Sequence, residues 1–124
     1  MAAILVIEDD DLMSELLRAQ LAEAGHTVRV SPDSAAGIMA LLVRRPDLVL
    51  LDLALPYLDG LDILEAVKGD PATSRVPVIV ITARSDAASR ERAEAAGVDD
   101  YLVKPILREQ LLEAVDRQLR ASAR

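Results

Sequence analysis

The chain has 124 residues, enough for one domain that buries about two-thirds of its unfolded surface, and no cysteine, which excludes a disulfide framework or a thiolate metal site. Its formal net charge of −7 opposes direct nucleic-acid binding by this domain, because neutralising phosphates needs surplus Lys and Arg; cations and basic patches suit it better. No apolar run reaches membrane-spanning length, and the run after Met1 has no basic region ahead of it and meets acid at once, so the expectation is a cytoplasmic protein with no membrane contact.

Ile4 to Ile7 reads as a first strand, closed by Glu8-Asp9-Asp10-Asp11, and Leu12, Leu16, Leu17 and Leu21 follow at helical spacing. Acids at a strand-to-helix turn can cap the helix and favour its positive end, but capping needs only one or two of them. Gly25 stops the helix, Thr27 to Val30 alternates as a shorter strand, and Ser34 to Arg44 carries Ile38, Leu41 and Leu42 on one helical face. Pro46 opens Leu48-Val49-Leu50-Leu51, a continuously apolar run that suits a strand buried on both faces and ends in Asp52. After the Asp59-Gly60 turn, Leu61, Ile63, Leu64 and Val67 predict a short helix ending near Gly69, and Asp70 to Arg75 reads as a polar loop. Val76 to Ile81 is the fourth strand, with Pro77 tolerated only near its start, and it ends at Thr82. Ser85 to Ala96 predicts an exposed, weakly anchored helix terminated by Gly97. Tyr101 to Val103 is a short fifth strand ending at Lys104-Pro105, and Leu107, Leu111, Leu112, Val115 and Leu119 suit a closing helix.

Strands alternating with helices predict an α/β fold with a parallel sheet, and right-handed crossovers leave the common doubly wound topologies. The flavodoxin-like order 2-1-3-4-5 suits five strands in one domain, taken here as residues 1–124. In that order the carboxyl ends of the first and third strands are neighbours. Glu8, Asp9, Asp10 and Asp52 then meet at the topological switch point, with Thr82 and Lys104 along the same edge. Alone, Asp52 reads as a turn residue, Thr82 as a helix cap, Lys104 as a surface charge and Tyr101 as a partly buried aromatic; together they do not. Clustered carboxylates without Cys or His suit a hard divalent cation, Mg²⁺ or Mn²⁺ before Zn²⁺. Lysine, such a cation and a hydroxyl are what a transferring phosphoryl group needs, and a carboxylate can accept it. The residues thus point to an aspartyl-phosphate acceptor site.

Ile4-Leu5-Val6-Ile7-Glu8-Asp9-Asp10, Asp52-Leu53-Ala54-Leu55-Pro56-Tyr57-Leu58-Asp59-Gly60, Val78-Ile79-Val80-Ile81-Thr82-Ala83 and Ala96-Gly97-Val98-Asp99-Asp100-Tyr101-Leu102-Val103-Lys104-Pro105 resemble the receiver domains of two-component response regulators. The resemblance runs from about Ile4 to Leu119, with the motifs in the family's order and spacing. It implies that Asp52 is phosphorylated, that Asp9 is a direct Mg²⁺ ligand with Glu8 acting on the metal through water or from behind its ligands, and that the Ala54 carbonyl is a further ligand. Lys104 would pair with the phosphoryl group and Thr82 hydrogen-bond it, while Tyr101 would move inward and alter the face made by the fourth helix, fifth strand and fifth helix. The donor would be a sensor histidine kinase or a histidine phosphotransfer protein, the readout a separate downstream protein, and the domain no enzyme beyond its own phosphorylation and dephosphorylation. The family also implies a cis Lys104–Pro105 peptide. His26 is given no role.

Glu8 stands where the family more often has Asp, Leu58 where Met is common, and Ile106 where Phe is common; none of these removes a chemical group the site needs. Ala54 and Arg84, two residues beyond Asp52 and Thr82, offer no acceptor to an attacking water, from which slow loss of the phosphoryl group is expected. Gln110 and Ala114 occupy the positions of an acid and an Arg used in some family dimers, so no dimer through that face is expected. Ala54 also argues against a phosphatase of the haloacid dehalogenase type, which needs an Asp there, and the acids after the first strand argue against a flavin or nucleotide module, whose phosphates want a Gly- or Ser-rich loop. A receiver that works unphosphorylated lacks support while Asp9, Asp52, Thr82 and Lys104 are all present. An output domain would have to follow Arg124.

Overall fold

The computed structural model describes residues 2–123; Met1 and Arg124, the bounds of the expected domain, lie outside them. Strands β1 (Ala3–Ile7), β2 (Thr27–Ser31), β3 (Leu48–Leu51), β4 (Val78–Thr82) and β5 (Asp100–Val103) alternate with helices α1 (Asp11–Glu23), α2 (Ser34–Val43), α3 (Gly60–Gly69), α4 (Ala87–Ala96) and α5 (Arg108–Ser122). All pairings are parallel and the order is β2-β1-β3-β4-β5, the flavodoxin-like order expected.

The period-2 geometry of the strands divides the core in two. Ile4, Val6, Leu48, Leu50, Ile79, Ile81 and Leu102 pack against Leu17 and Leu21 of α1 and Leu111, Ala114 and Val115 of α5. Leu5, Ile7, Val49, Leu51, Val78 and Val80 face the other way, onto Leu41 of α2, Ile63, Leu64 and Val67 of α3 and Ala93 of α4. Covered on both sides, β1, β3 and β4 have no polar face, which is why their sequences are continuously apolar.

Helical spacing alone did not separate the buried leucines from the exposed ones. Leu12 and Leu16 stand in solvent, because the face of α1 that meets the sheet carries Ser14, Leu17 and Leu21. Leu42 is likewise exposed, since α2 turns Ser34, Gly37 and Leu41 inward. Ala114 is buried at 1% exposure and belongs to the core, so it offers no surface position for an ion pair; Gln110 is exposed. Pro77 precedes β4, contributing only its carbonyl, which accepts from the Val49 N–H at 2.9 Å. Helix α4 starts at Ala87, two residues later than expected, because the Asp86 carboxylate caps it by accepting from the Ser89 N–H. The Lys104–Pro105 peptide is cis.

Candidate functional site

The acids after β1 divide by role. Asp10 is the N-cap of α1, accepting from the Met13 N–H at 3.0 Å, and Asp11 lies in the first turn. Glu8 and Asp9 are left free of capping duty. The Glu8 N–H donates to the Ser31 carbonyl and the Asp52 N–H to the Ile7 carbonyl, both at 3.0 Å, so the sheet's hydrogen bonding continues into the residues that carry the carboxylates. Strand pairing thereby aims Glu8, Asp9 and Asp52 at one point, where oxygens of all three lie within 4.8 Å of one another.

Lys104 closes this cluster from β5. Its Nζ donates to Glu8 Oε1 at 2.8 Å and to Asp52 Oδ2 at 3.2 Å, and its N–H donates to the Thr82 carbonyl at 2.7 Å. Burial first, and then the hydrogen bond and charge of the neighbouring Asp52, raise the Glu8 pKa to about 7 against the opposing pull of the lysine. Burial lowers the Lys104 pKa, yet hydrogen bonding to Glu8 and the charges of Asp52 and Glu8 outweigh it and hold the ammonium above its ordinary range. Three carboxylates facing one cation leave excess negative charge, which oxygen-seeking divalent ions neutralise; the donor set contains no sulfur or imidazole and fits Mg²⁺ or Mn²⁺.

The loop after β3 is shaped around Asp52. The Ala54 N–H donates to Asp52 Oδ1 at 3.2 Å, and the Gly60 N–H donates to the Leu53 carbonyl at 2.9 Å. A Cβ on Gly60 would stand 2.5 Å from the Asp52 carbonyl oxygen, so the chain can return this close over the acceptor only with glycine there. Ser34 ties the loop to α2, its hydroxyl donating to the Pro56 carbonyl and accepting from the Leu58 N–H.

Thr82 is fully buried at the end of β4, its Oγ1 accepting from the Arg84 N–H at 3.1 Å. Tyr101 is buried too, and its hydroxyl donates to the Arg84 carbonyl at 2.9 Å. Burial and the Asp86 charge raise its pKa, and the Arg90 guanidinium lies 5.3 Å over the ring. Tyr101 thus touches the loop after Thr82 through its hydroxyl. His26 accepts from the Ala2 N–H at the other end of the sheet. Two contacts had no sequence signal. Arg84 pairs with Asp59, and Lys68 bridges Asp99 and the Val76 carbonyl.

A doubly wound α/β sheet with a lysine-bridged carboxylate cluster at its carboxyl edge, beside a buried threonine, defines a class of phosphate-handling signalling domain. The chain belongs to the response regulator receiver domain family, whose profile matches residues 4–116. Phosphoryl acceptance is the standard role of that family. The chain is 35% identical over 124 residues, all of it and 52% of the relative, to the DNA-binding dual master transcriptional regulator RpaA of Synechocystis. It is 37% identical over 117 residues, 94% of the chain and 52% of the relative, to the phosphate regulon transcriptional regulatory protein PhoB of Rhizobium meliloti. The chain therefore spans about half the length of the curated relatives it matches. Among solved structures, the signal receiver domain of a signal transduction histidine kinase from Syntrophus aciditrophicus superposes with a TM-score of 0.91 at 30% identity, covering 98% of this chain and 92% of that one. Among the described residues, no helix is long and apolar enough to cross a membrane.

Proposed function

We propose that Asp52 is the phosphoacceptor of a single receiver domain and that Glu8, Asp9, Asp52 and the Ala54 carbonyl hold Mg²⁺ or Mn²⁺. The reading is carried by one arrangement, Lys104 Nζ bridging Glu8 and Asp52 with Asp9 in reach of both. The donor is a phosphohistidine on a sensor kinase or a phosphotransfer protein. An Asp52 oxygen attacks phosphorus and a P–O bond forms while the P–N bond breaks, its electron pair staying on the donor imidazole. A bound divalent cation supplies charge neutralisation for the phosphoryl oxygens.

Lys104, already held at Asp52 by Glu8, is placed to pair with the same oxygens, and the Thr82 hydroxyl donates to another. Because Thr82 and Tyr101 both bond Arg84, a turn of Thr82 is felt at Tyr101 and hence on the face of α4, β5 and α5 read by a downstream protein. The test is intact-mass spectrometry after incubation with acetyl phosphate and Mg²⁺. One phosphoryl group is expected on the wild type and none on Asp52→Asn with its fold retained; equal phosphorylation of the variant would remove Asp52 as acceptor.

A further inference from the structure

Among the described helices, α2 alone has no charged residue: Ser34 to Val43 reads Ser-Ala-Ala-Gly-Ile-Met-Ala-Leu-Leu-Val. One face meets the sheet through Ser34, Gly37 and Leu41. The outer face, where a surface helix ordinarily turns charges to water, carries Ala35, Met39, Leu42 and Val43 instead, the last three 59%, 64% and 77% exposed. Single exposed apolar residues need no explanation, but three on neighbouring turns of one helix form a patch of the kind that binds another surface. The ends of the patch carry opposite charge. Asp33 caps the amino end of α2, and Arg44 and Arg45 follow its carboxyl end, where Arg29 Nη2 donates to the Arg44 carbonyl at 2.8 Å. In a chain of net charge −7, none of these three arginines has a carboxylate partner among the described residues.

We infer that this face of α2 binds a second copy of the chain, the two helices lying antiparallel about a two-fold axis at Met39. A two-fold interface needs a surface that complements itself, and an apolar stripe with an acid at one end and arginines at the other does so only when antiparallel. Met39 then meets its own copy, Ala35 faces Val43 of the second copy, small against large, and Asp33 faces the arginines. The face lies by β1 and β2, at the opposite edge of the sheet from β5. One helix pair covers less than the roughly 800 Å² per partner of a standard interface, so the association is weak, with a Kd of about 10–100 μM. Sedimentation equilibrium of the whole chain should show reversible dimers in that range. Met39→Glu, on the exposed face and outside the acid site, should weaken them at least tenfold, and Arg44→Glu with Arg45→Glu severalfold. Wild-type affinity in the first overturns the use of this face, and in the second the antiparallel register. A wild-type chain that stays monomeric to about 1 mM leaves the patch to a different protein and overturns the proposal outright. The chain has no cysteine, so single cysteines report the contact without background. On oxidation with diamide, Met39→Cys should form a disulfide-linked dimer at least tenfold faster than Gln110→Cys on α5; equal rates, or the reverse order, refute the arrangement.

Discussion

Raising the pH in metal-free buffer should weaken this fold through Glu8. Burial, then the contact with Asp52, lifts its pKa from 4.5 to about 7, despite the opposing lysine. Between those values the native protein keeps a proton that the unfolded chain has released, so stability falls as pH rises and levels off above about 7. At 1.36 kcal/mol per pH unit, the gap from 4.5 to about 7 is worth roughly 3 kcal/mol. His26 titrates in an overlapping window with the opposite sign. Burial lowers its pKa below 6.5, so the unfolded chain takes up the proton first and stability from this group rises with pH. The difference between wild type and Glu8→Gln cancels His26 and isolates Glu8, because the amide resembles the protonated carboxyl in size and polarity. In urea, with a slope of about 1–3 kcal/mol per molar, the two midpoints should nearly coincide at about pH 4.5 and stand about 1–3 M apart at about pH 7.5, the variant being more stable. A difference that stays constant across this range would refute the placement of a proton on Glu8.

Asp9 is exposed and caps nothing, so Asp9→Ala should leave the fold intact while weakening Mg²⁺ binding by about tenfold or more, or about 1.4 kcal/mol; unchanged affinity by calorimetry would remove it as a ligand. Gly60→Ala should destabilise by about 1–3 kcal/mol in urea unfolding, because the added Cβ meets backbone at 2.5 Å, and wild-type stability would mean the loop yields freely.

The parts of this molecule legible in the sequence are those that depend on local pattern. The apolar runs ending at Ile7, Leu51 and Ile81 gave β1, β3 and β4, and the acids after β1 and β3 and the lysine after β5 fell together once the strand order was known. Rotation of a helix about its axis was less legible. Leu12, Leu16 and Leu42 keep helical spacing with buried neighbours yet face water, because packing against the sheet selects one stripe and spacing alone does not say which. The division of labour between Asp10 as cap and Glu8 as buried acid also needed coordinates, since four adjacent acids look alike on paper. The Arg84–Asp59 pair spans 25 residues and depends on how two loops meet, a distance at which no periodicity speaks.

The way α4 is attached sets the order in which the protein comes apart. It fully buries a single residue, Ala93, with Ala96 partly buried against the same core, and it is also held by Arg92 on Asp62 and Glu65 of α3 and by Arg90 over the Tyr101 ring. Such solvent-screened contacts hold weakly, far below the several large aliphatic side chains that fasten α3. Local opening of α4 therefore lies at the cheap end of the protein's free-energy scale and leaves β4 paired on both sides. Its amides should be the first helical amides to exchange with solvent, and added salt, which screens its arginines, should hasten them before any others.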